Sequence, residues 1–484
     1  MSTKADKESV LPALNRDGTR RWIRPRLAPG RFLNRRRFVA YTLIVLFASL
    51  PFLRIGGRPA MLIDVASAEL SLFGMVFRPS DGFLLMLLGL TVVTTVLLVT
   101  ALFGRVWCGW GCPQTVYLEH VFRPIERWIE GSVGQQKAMD KKGWPSGRRI
   151  VGWGIFVALS FVVANVFLAY FVGTDRLLQW ITTSPAKHPG GFATVMIVTA
   201  LMFADFAYFR EQVCIIACPY GRLQSTLLDT QSLIVAYDAG RGEPRGNVKH
   251  KLPMLADAPV VQNVGHDSSA SPLAAGVKQG SCIDCNACVA VCPTGIDIRQ
   301  GLQLECVGCA QCIDACDTVM DKVHQPRGLI RYTSQDQLAG KTKKILRVRT
   351  VVYPMLLIAA FILLVTRADS RTGTDVWVLR VNGPAFVDLG NGLIASSVRI
   401  KLENKGDATR DYTFALLAAP DAKLRMPIPS WKVQPHHSVE VPLFVDVPAT
   451  SFVHGQRTVV LQVSEGQNLI STIDLSLPGP EGQP

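Results

Sequence analysis

Charged residues are scarce in this 484-residue chain, at 18% of the total. A soluble domain carries about 25%, so a soluble cytosolic enzyme is excluded. No small-residue cleavage site follows the polar, basic first 37 residues, and no signal peptide is expected. No C-x-x-C-H occurs, which argues against c-type haem. P-loop, Rossmann fingerprint and hydrolase elbow are missing too, leaving nucleotide-driven chemistry without support. No cysteine follows Cys316, so no disulfide holds the C-terminal part. Twelve cysteines in so long a chain also lack the density of a small secreted scaffold.

What is abundant is apolar: 49% of residues are hydrophobic and the mean hydropathy is +0.25. Five runs, 38–53, 82–103, 150–173, 190–209 and 350–366, approach the roughly 17–25 residues needed to span a bilayer. The first is slightly short and carries Pro51; the fourth contains Asp205. Lysine and arginine alternate along the flanks: eleven in 1–37, three in 54–81, eight in 105–149 and two in 174–189. Another basic group, Lys341 to Arg349, precedes the fifth run. The positive-inside rule then predicts five helices, with the N-terminus cytoplasmic and the C-terminal part periplasmic. The net charge of +14 is read as membrane-surface electrostatics, not as a nucleic-acid footprint.

The expected organisation is a basic segment 1–37, a four-helix membrane domain 38–209, a cytoplasmic insert 210–346, a fifth helix 347–368 and an outer domain 369–484. The insert opens with a Gly/Pro-rich stretch, 237–245, read as loop, and runs through polar residues to about 280. Alternating segments 397–402, 439–447 and 458–463 predict a small antiparallel β-sandwich in the outer domain. One repeat is visible: 103–113, with Cys108 and Cys112 before Pro113, lines up with 209–219, with Cys214 and Cys218 before Pro219. Two hairpins of one topology imply a pseudo-two-fold axis along the membrane normal.

The strongest motif is Cys282-x2-Cys285-x2-Cys288-x3-Cys292-Pro293, repeated as Cys306-x2-Cys309-x2-Cys312-x3-Cys316. This is the bacterial two-cluster ferredoxin spacing, in which each run's fourth cysteine ligates the other cluster. It predicts one 4Fe–4S cluster on Cys282, Cys285, Cys288 and Cys316, and a second on Cys306, Cys309, Cys312 and Cys292, within a ferredoxin-like domain at 275–325. Structural zinc wants ligands in two pairs, not two runs of four ending in x3. The second run ends Cys316-Asp317 in place of Cys-Pro, which removes no ligand.

The pairs Cys108/Cys112 and Cys214/Cys218 fall at the expected cytoplasmic ends of the second and fourth helices. Soft thiolates select Cu(I) and iron–sulfur, so four converging thiols read as a copper or redox-dithiol site beside the clusters. Buried small hydrophobes are the bland alternative. Asp205, inside an apolar run, is a functional candidate or a structural partner of Arg210. His436, His437, His454 and Met426 have the ligand types for Cu(II) but read as scattered surface residues. His120 and His188 are too poorly matched for a bis-His haem.

The stretches 282–299 and 302–317, the doubled C-x3-C-P and the 237–245 segment resemble the cytochrome c oxidase accessory proteins, the FixG/CcoG/RdxA family, over nearly the whole chain. The resemblance implies a multi-pass bacterial inner-membrane protein with a C-terminal Ig-like β-sandwich. It implies reduction of Cu(II) to Cu(I) for assembly of the cbb(3)-type oxidase, with that oxidase, its copper maturation factors and a cytoplasmic electron donor as partners. It assigns the family's cluster cysteines to all eight positions above, and its membrane cysteines to Cys108, Cys112, Cys214 and Cys218. A membrane ferredoxin that serves quinol or a cytoplasmic donor without copper is the competing reading, and a scaffold is a weaker third.

Overall fold

The computed structural model describes residues 13–480 apart from 16, 18, 142–145, 247–279, 343–345, 370–372, 380–385, 391, 407, 418, 436 and 467. The chain divides into two compact units, Met1–Leu364 and Val365–Pro484.

The first unit opens with α1 (Arg31–Ser49), which starts seven residues before the apolar run at 38. The reason lies far away in sequence. The Asp314 carboxylate accepts the backbone amides of Phe32 at 3.2 Å and Leu33 at 2.8 Å, capping the helix from outside. Asp314→Ala should cost about 1–2 kcal/mol at this junction. Limited trypsin digestion should then cut at Arg31 and Arg35 well before the wild type is touched; an unchanged digestion pattern would mean that the cap holds nothing.

Next come α2 (Gly82–Phe103), a single turn α3 (Val106–Trp110), α4 (Pro113–Tyr117) and α5 (Arg123–Glu130). Helices Gly147–Val172, Pro189–Phe203 and Pro219–Leu227 complete the second hairpin. Among the described residues four helices are long and apolar enough to cross a membrane: Pro79–Phe103, Gly147–Val172, Pro189–Phe209 and Val348–Ala368. The fifth expected span, 38–53, does not qualify, because α1 carries Arg31, Arg35, Arg36 and Arg37 in its first turns and breaks at Pro51. Stacked Phe122 and Phe206, with Phe156 edge-on, form the apolar core between the hairpins.

The 237–245 stretch is more ordered than a loop. Tyr237 ends a strand, Ile234–Tyr237, paired antiparallel with Ile330–Thr333, and a helical turn Ala239–Gly242 follows. The polar segment expected up to about 280 lies mostly outside the described residues.

The second unit is an antiparallel sandwich. Its strands are β1 (Thr374–Leu379), β2 (Phe386–Gly390), β3 (Leu393–Asn404), β4 (Arg410–Leu417), β5 (Lys423–Arg425), β6 (Ser430–Val433), β7 (Ser438–Pro448), β8 (Gln456–Glu465) and β9 (Asn468–Pro478). One sheet runs β5-β7-β3-β1 with β2 also on β3; the other runs β6-β4-β8-β9. Alternate residues Ile400 and Leu402 of β3, Val441, Leu443 and Val445 of β7, and Leu461 and Val463 of β8 are fully buried in the core. The period-2 signal of the sequence is thus the inward face of each strand.

Candidate metal and redox site

The two cysteine runs share a backbone. Asp284 and Gly308, each one residue before the second cysteine, have φ of +53° and +69°; Asn286 and Ala310, each one residue after it, have +57° and +60°. Left-handed residues in such a loop turn amides toward one side and favour anionic ligands. A helix opens after each turn, Ala287–Ala290 and Gln311–Lys322. Burial pushes the Cys306 thiol up to about 11 and Cys309 up to about 12, while the backbone amides of Gly308 and Gln311 act against it at the two sulfurs.

Two cavities divide the sulfurs into fours. Cys282, Cys285, Cys288 and Cys316 line one. Cys292, Cys306, Cys309 and Cys312 line the other, with Cys288 on the wall between. The fourth cysteine of each run therefore sits in the other run's cavity. All twelve cysteines are free. Among the described residues no three His, Cys, Asp or Glu side chains close on a single ion-sized point; the cysteines ring a space instead. Four soft donors around an apolar cavity fit a 4Fe–4S cluster in each, and in the second the amides of Gly308 and Gln311 reach the sulfurs.

The repeated membrane motif is also visible as backbone. Gly104 and Arg210, at matching positions, have φ/ψ of 57°/−123° and 52°/−121°. A short turn follows each, α3 and the π-type turn Val213–Ala217, and then Cys112 and Cys218 stand extended as the N-caps of helices that begin at Pro113 and Pro219. The halves satisfy one another. Gln114 Nε2 donates to the Arg210 carbonyl at 3.1 Å, and Gln224 Nε2 donates to the Gly104 carbonyl at 2.8 Å. Gln114 also donates to Asp205 at 2.8 Å, which gives Asp205 a partner across the pseudo-two-fold.

The four membrane cysteines lie near enough to act on one another electrostatically, although among the described residues no three of them close on one ion-sized point. Burial pushes Cys108 up to about 12, and Cys112, Cys218 and Cys306 add to the rise while Arg105 opposes it. Burial likewise raises Cys214 to about 12, reinforced by Cys112, Cys108 and Cys218. Cys112 is raised by burial against the amides of Thr115 and Gln114 at its helix N-terminus. Cys108 Sγ donates to Gln224 Oε1 at 3.0 Å.

The Cys108 loop is packed on the loop of the second cavity. A Cβ on Gly109 would lie 2.6 Å from the Val307 carbonyl and 2.9 Å from the Cys309 backbone, so only glycine allows this approach. Arg105 Nη1 donates to the carbonyls of Leu304 and, at 2.9 Å, Cys306. Trp110 Nε1 donates to Tyr332 Oη at 3.1 Å, which donates to the Gly308 carbonyl at 2.7 Å. Arg36 donates to the Gly109 carbonyl at 3.0 Å. Beneath lies a buried ion network in which Glu126 bridges Arg24 and Arg210, both at 2.8 Å, and Arg123 binds Glu119 and, at 3.0 Å, Glu211.

The other candidates are not assembled. His437 precedes β7 and His454 follows it, separated by roughly 35 Å of strand. Met426 packs on the sandwich core, and His436 lies outside the described residues. His120 is buried, and His188 is the N-cap of Pro189–Phe203. The sequence reading missed Arg105, Gln114, Gln224, Trp110 and Tyr332; polar residues just beyond a helix end next to cysteine were the available signal for the first two.

Comparison with known proteins defines the class. Residues 209–335 match a model described as a 4Fe-4S dicluster domain, 85–132 one described as a 4Fe-4S binding domain, and 364–480 the Ig-like fold at the C-terminus of FixG. With four apolar helices long enough to span a membrane, this is an iron–sulfur electron-transport protein with an Ig-like domain. The chain is 32% identical to Protein RdxA of Cereibacter sphaeroides, over 96% of this chain and 95% of that one. It is 32% identical to Protein RdxB of the same organism, over 83% of each. It is 29% identical to the nitrogen fixation protein FixG of Rhizobium meliloti, over 96% of this chain and 94% of that one. The chain belongs to the FixG/RdxA family.

Proposed function

We propose that this protein reduces Cu(II) to Cu(I) for assembly of the cbb(3)-type oxidase, with Cys108, Cys112, Cys214 and Cys218 as the copper site. The nearness of these cysteines to one another, beside the Cys306–Cys309 loop, carries the reading. In it, residues 1–37 and 210–346 are cytoplasmic, the sandwich from 369 is periplasmic, and the chain sits in the bacterial inner membrane. Cys282, Cys285, Cys288 and Cys316 hold one cluster; Cys292, Cys306, Cys309 and Cys312 hold the other. The clusters, when bound, supply one-electron transfer.

The chain's own residues do the remainder. Each Cu(II) takes one electron to become Cu(I), and no bond to copper's other ligands need break. Soft sulfur donors favour the cuprous product. Burial keeps the empty Cys108, Cys112 and Cys214 thiols protonated, so a bound cation displaces protons and offsets the thiolate charge that burial disfavours. The Arg105 guanidinium lies near both Cys306 and Cys108 and favours anionic sulfur on either side. Gln224 orients Cys108.

The test is anaerobic: reduced protein is mixed with Cu(II) and a Cu(I)-specific chelator, while cluster oxidation is followed optically. Wild type should yield stoichiometric Cu(I), and the quadruple Cys108, Cys112, Cys214 and Cys218→Ala variant should lose it while keeping its cluster iron. Equal Cu(I) from both would move the reaction to the clusters. No Cu(I) from fully reduced wild type would favour the carrier without copper chemistry, in which Asp205 and Gln114 are proton-handling candidates.

A further inference from the structure

A cavity of about 400 Å³ that contains none of the twelve cysteines lies between the first turns of α1, the π turn Leu118–Phe122 and α5. Arg26, Arg36, Arg37 and Arg127 line it, against a single carboxylate, Glu119, which is already paired with Arg123. His120 adds no negative charge; burial and then Arg36 hold it down at about 4, so it is neutral near pH 7. Among the described residues the side chains of Arg26 and Arg37 have no ion-pair partner. Arg36 is 1% exposed, and while its Nε reaches Gly109, its Nη2 is buried without a hydrogen-bond acceptor. An unmet guanidinium N–H in a cationic cavity calls for an anion.

Two further observations narrow the anion. Gln311 lines the same cavity, and its Oε1 is a buried acceptor without a donor. An ionised phosphodiester has no O–H to satisfy it, but a hydroxyl elsewhere on the same ligand can. Tyr41, also on the lining, continues into an exposed apolar face of α1 with Phe38 and Val45, 75% and 66% accessible, at helical spacing. The cavity thus has an anionic part, a hydroxyl-seeking part and a greasy exit.

We propose that this cavity binds the phosphoglycerol head of an acidic phospholipid, the phosphate among Arg26, Arg36, Arg37 and Arg127, and the acyl chains along Phe38, Tyr41 and Val45. Basic pockets beside membrane helices recognise such heads by charge. Because Arg36 also holds the Gly109 carbonyl, an occupied site braces the junction between the Cys108 loop and the second cluster loop.

The test uses the full chain, purified in detergent and examined by native mass spectrometry with phosphatidylglycerol, phosphatidylcholine or inorganic phosphate added. One phosphatidylglycerol should be retained per chain, in preference to phosphatidylcholine. The Arg26→Gln/Arg37→Gln variant should retain it about thirtyfold more weakly, at about fivefold per arginine. An Arg148→Gln/Lys137→Gln variant, which removes two exposed charges outside the cavity, should bind like wild type. Circular dichroism confirms that each variant is folded. Equal retention of both lipids, equal loss in the two variants, or displacement of the lipid by millimolar inorganic phosphate with the same dependence on the arginines would each overturn the proposal, the last by making this a free-phosphate site.

Discussion

Gly109→Ala is expected to slow Cu(I) formation about a hundredfold while both clusters stay bound. The added Cβ would meet not a flexible side chain but the Val307 carbonyl and the Cys309 backbone, at 2.6 and 2.9 Å. The two loops must therefore separate, and a misplacement of about 1 Å between reacting groups can cost about 10²-fold in rate. Cluster iron should be retained, since no cysteine is replaced, and rapid mixing of pre-reduced protein with Cu(II) reads the rate directly. Trp110→Phe, which removes only the hydrogen bond to Tyr332, should give a smaller decrease and guards against a folding failure in the alanine variant. A rate within twofold of wild type for both would show that electrons do not cross at this junction.

The largest stability effect is expected at Glu126. Burial alone would raise its carboxyl, but the charge and hydrogen bonds of Arg210, followed by Arg24, bring it down to about 2. Glu126→Ala would take from two buried guanidiniums the carboxylate they share, leaving Arg210 only Glu211, at 3.8 Å, among the described residues, and breaking a buried pair from one side costs about 3–5 kcal/mol. Thermal unfolding in detergent should show a markedly lower midpoint, much of it recovered by Glu126→Leu combined with Arg210→Met. A single variant as stable as wild type would mean that water reaches this network. The pH dependence follows from the sign of the shift. A carboxyl lowered on folding contributes fully above its ordinary value of 4.5, and that contribution is lost as pH falls through about 2.

The cysteines were readable from sequence because their chemistry is local. Spacing of two and three residues within a run dictates which sulfurs can share a cube, and the two cavities are lined in that grouping, each with the other run's fourth cysteine. The sandwich strands were readable through their period-2 alternation. The residues that were not readable act across long separations. Gln224 meets Gly104 at 120 residues' distance, Arg105 meets Cys306 at 201, and Asp314 sets the start of α1 from 281 residues beyond Leu33. A lone glutamine or arginine carries no periodic signature, so nothing in the sequence says which distant carbonyl it serves. The helix over the apolar run at 38–53 was readable too, but not its start, which a cap from another part of the fold moves back to Arg31.

The matched conformations at Gly104 and Arg210 have one more consequence. A two-fold frame has no front or back, yet its two corners are occupied by unlike residues. Glycine leaves the first corner narrow, and the Leu233 carbonyl settles against it. Arginine makes the second corner bulky and ties it to Glu126. Four chemically identical sulfurs are thereby given unlike surroundings: Cys108 lies near Arg105 and Cys306, whereas Cys214 lies near Asp205.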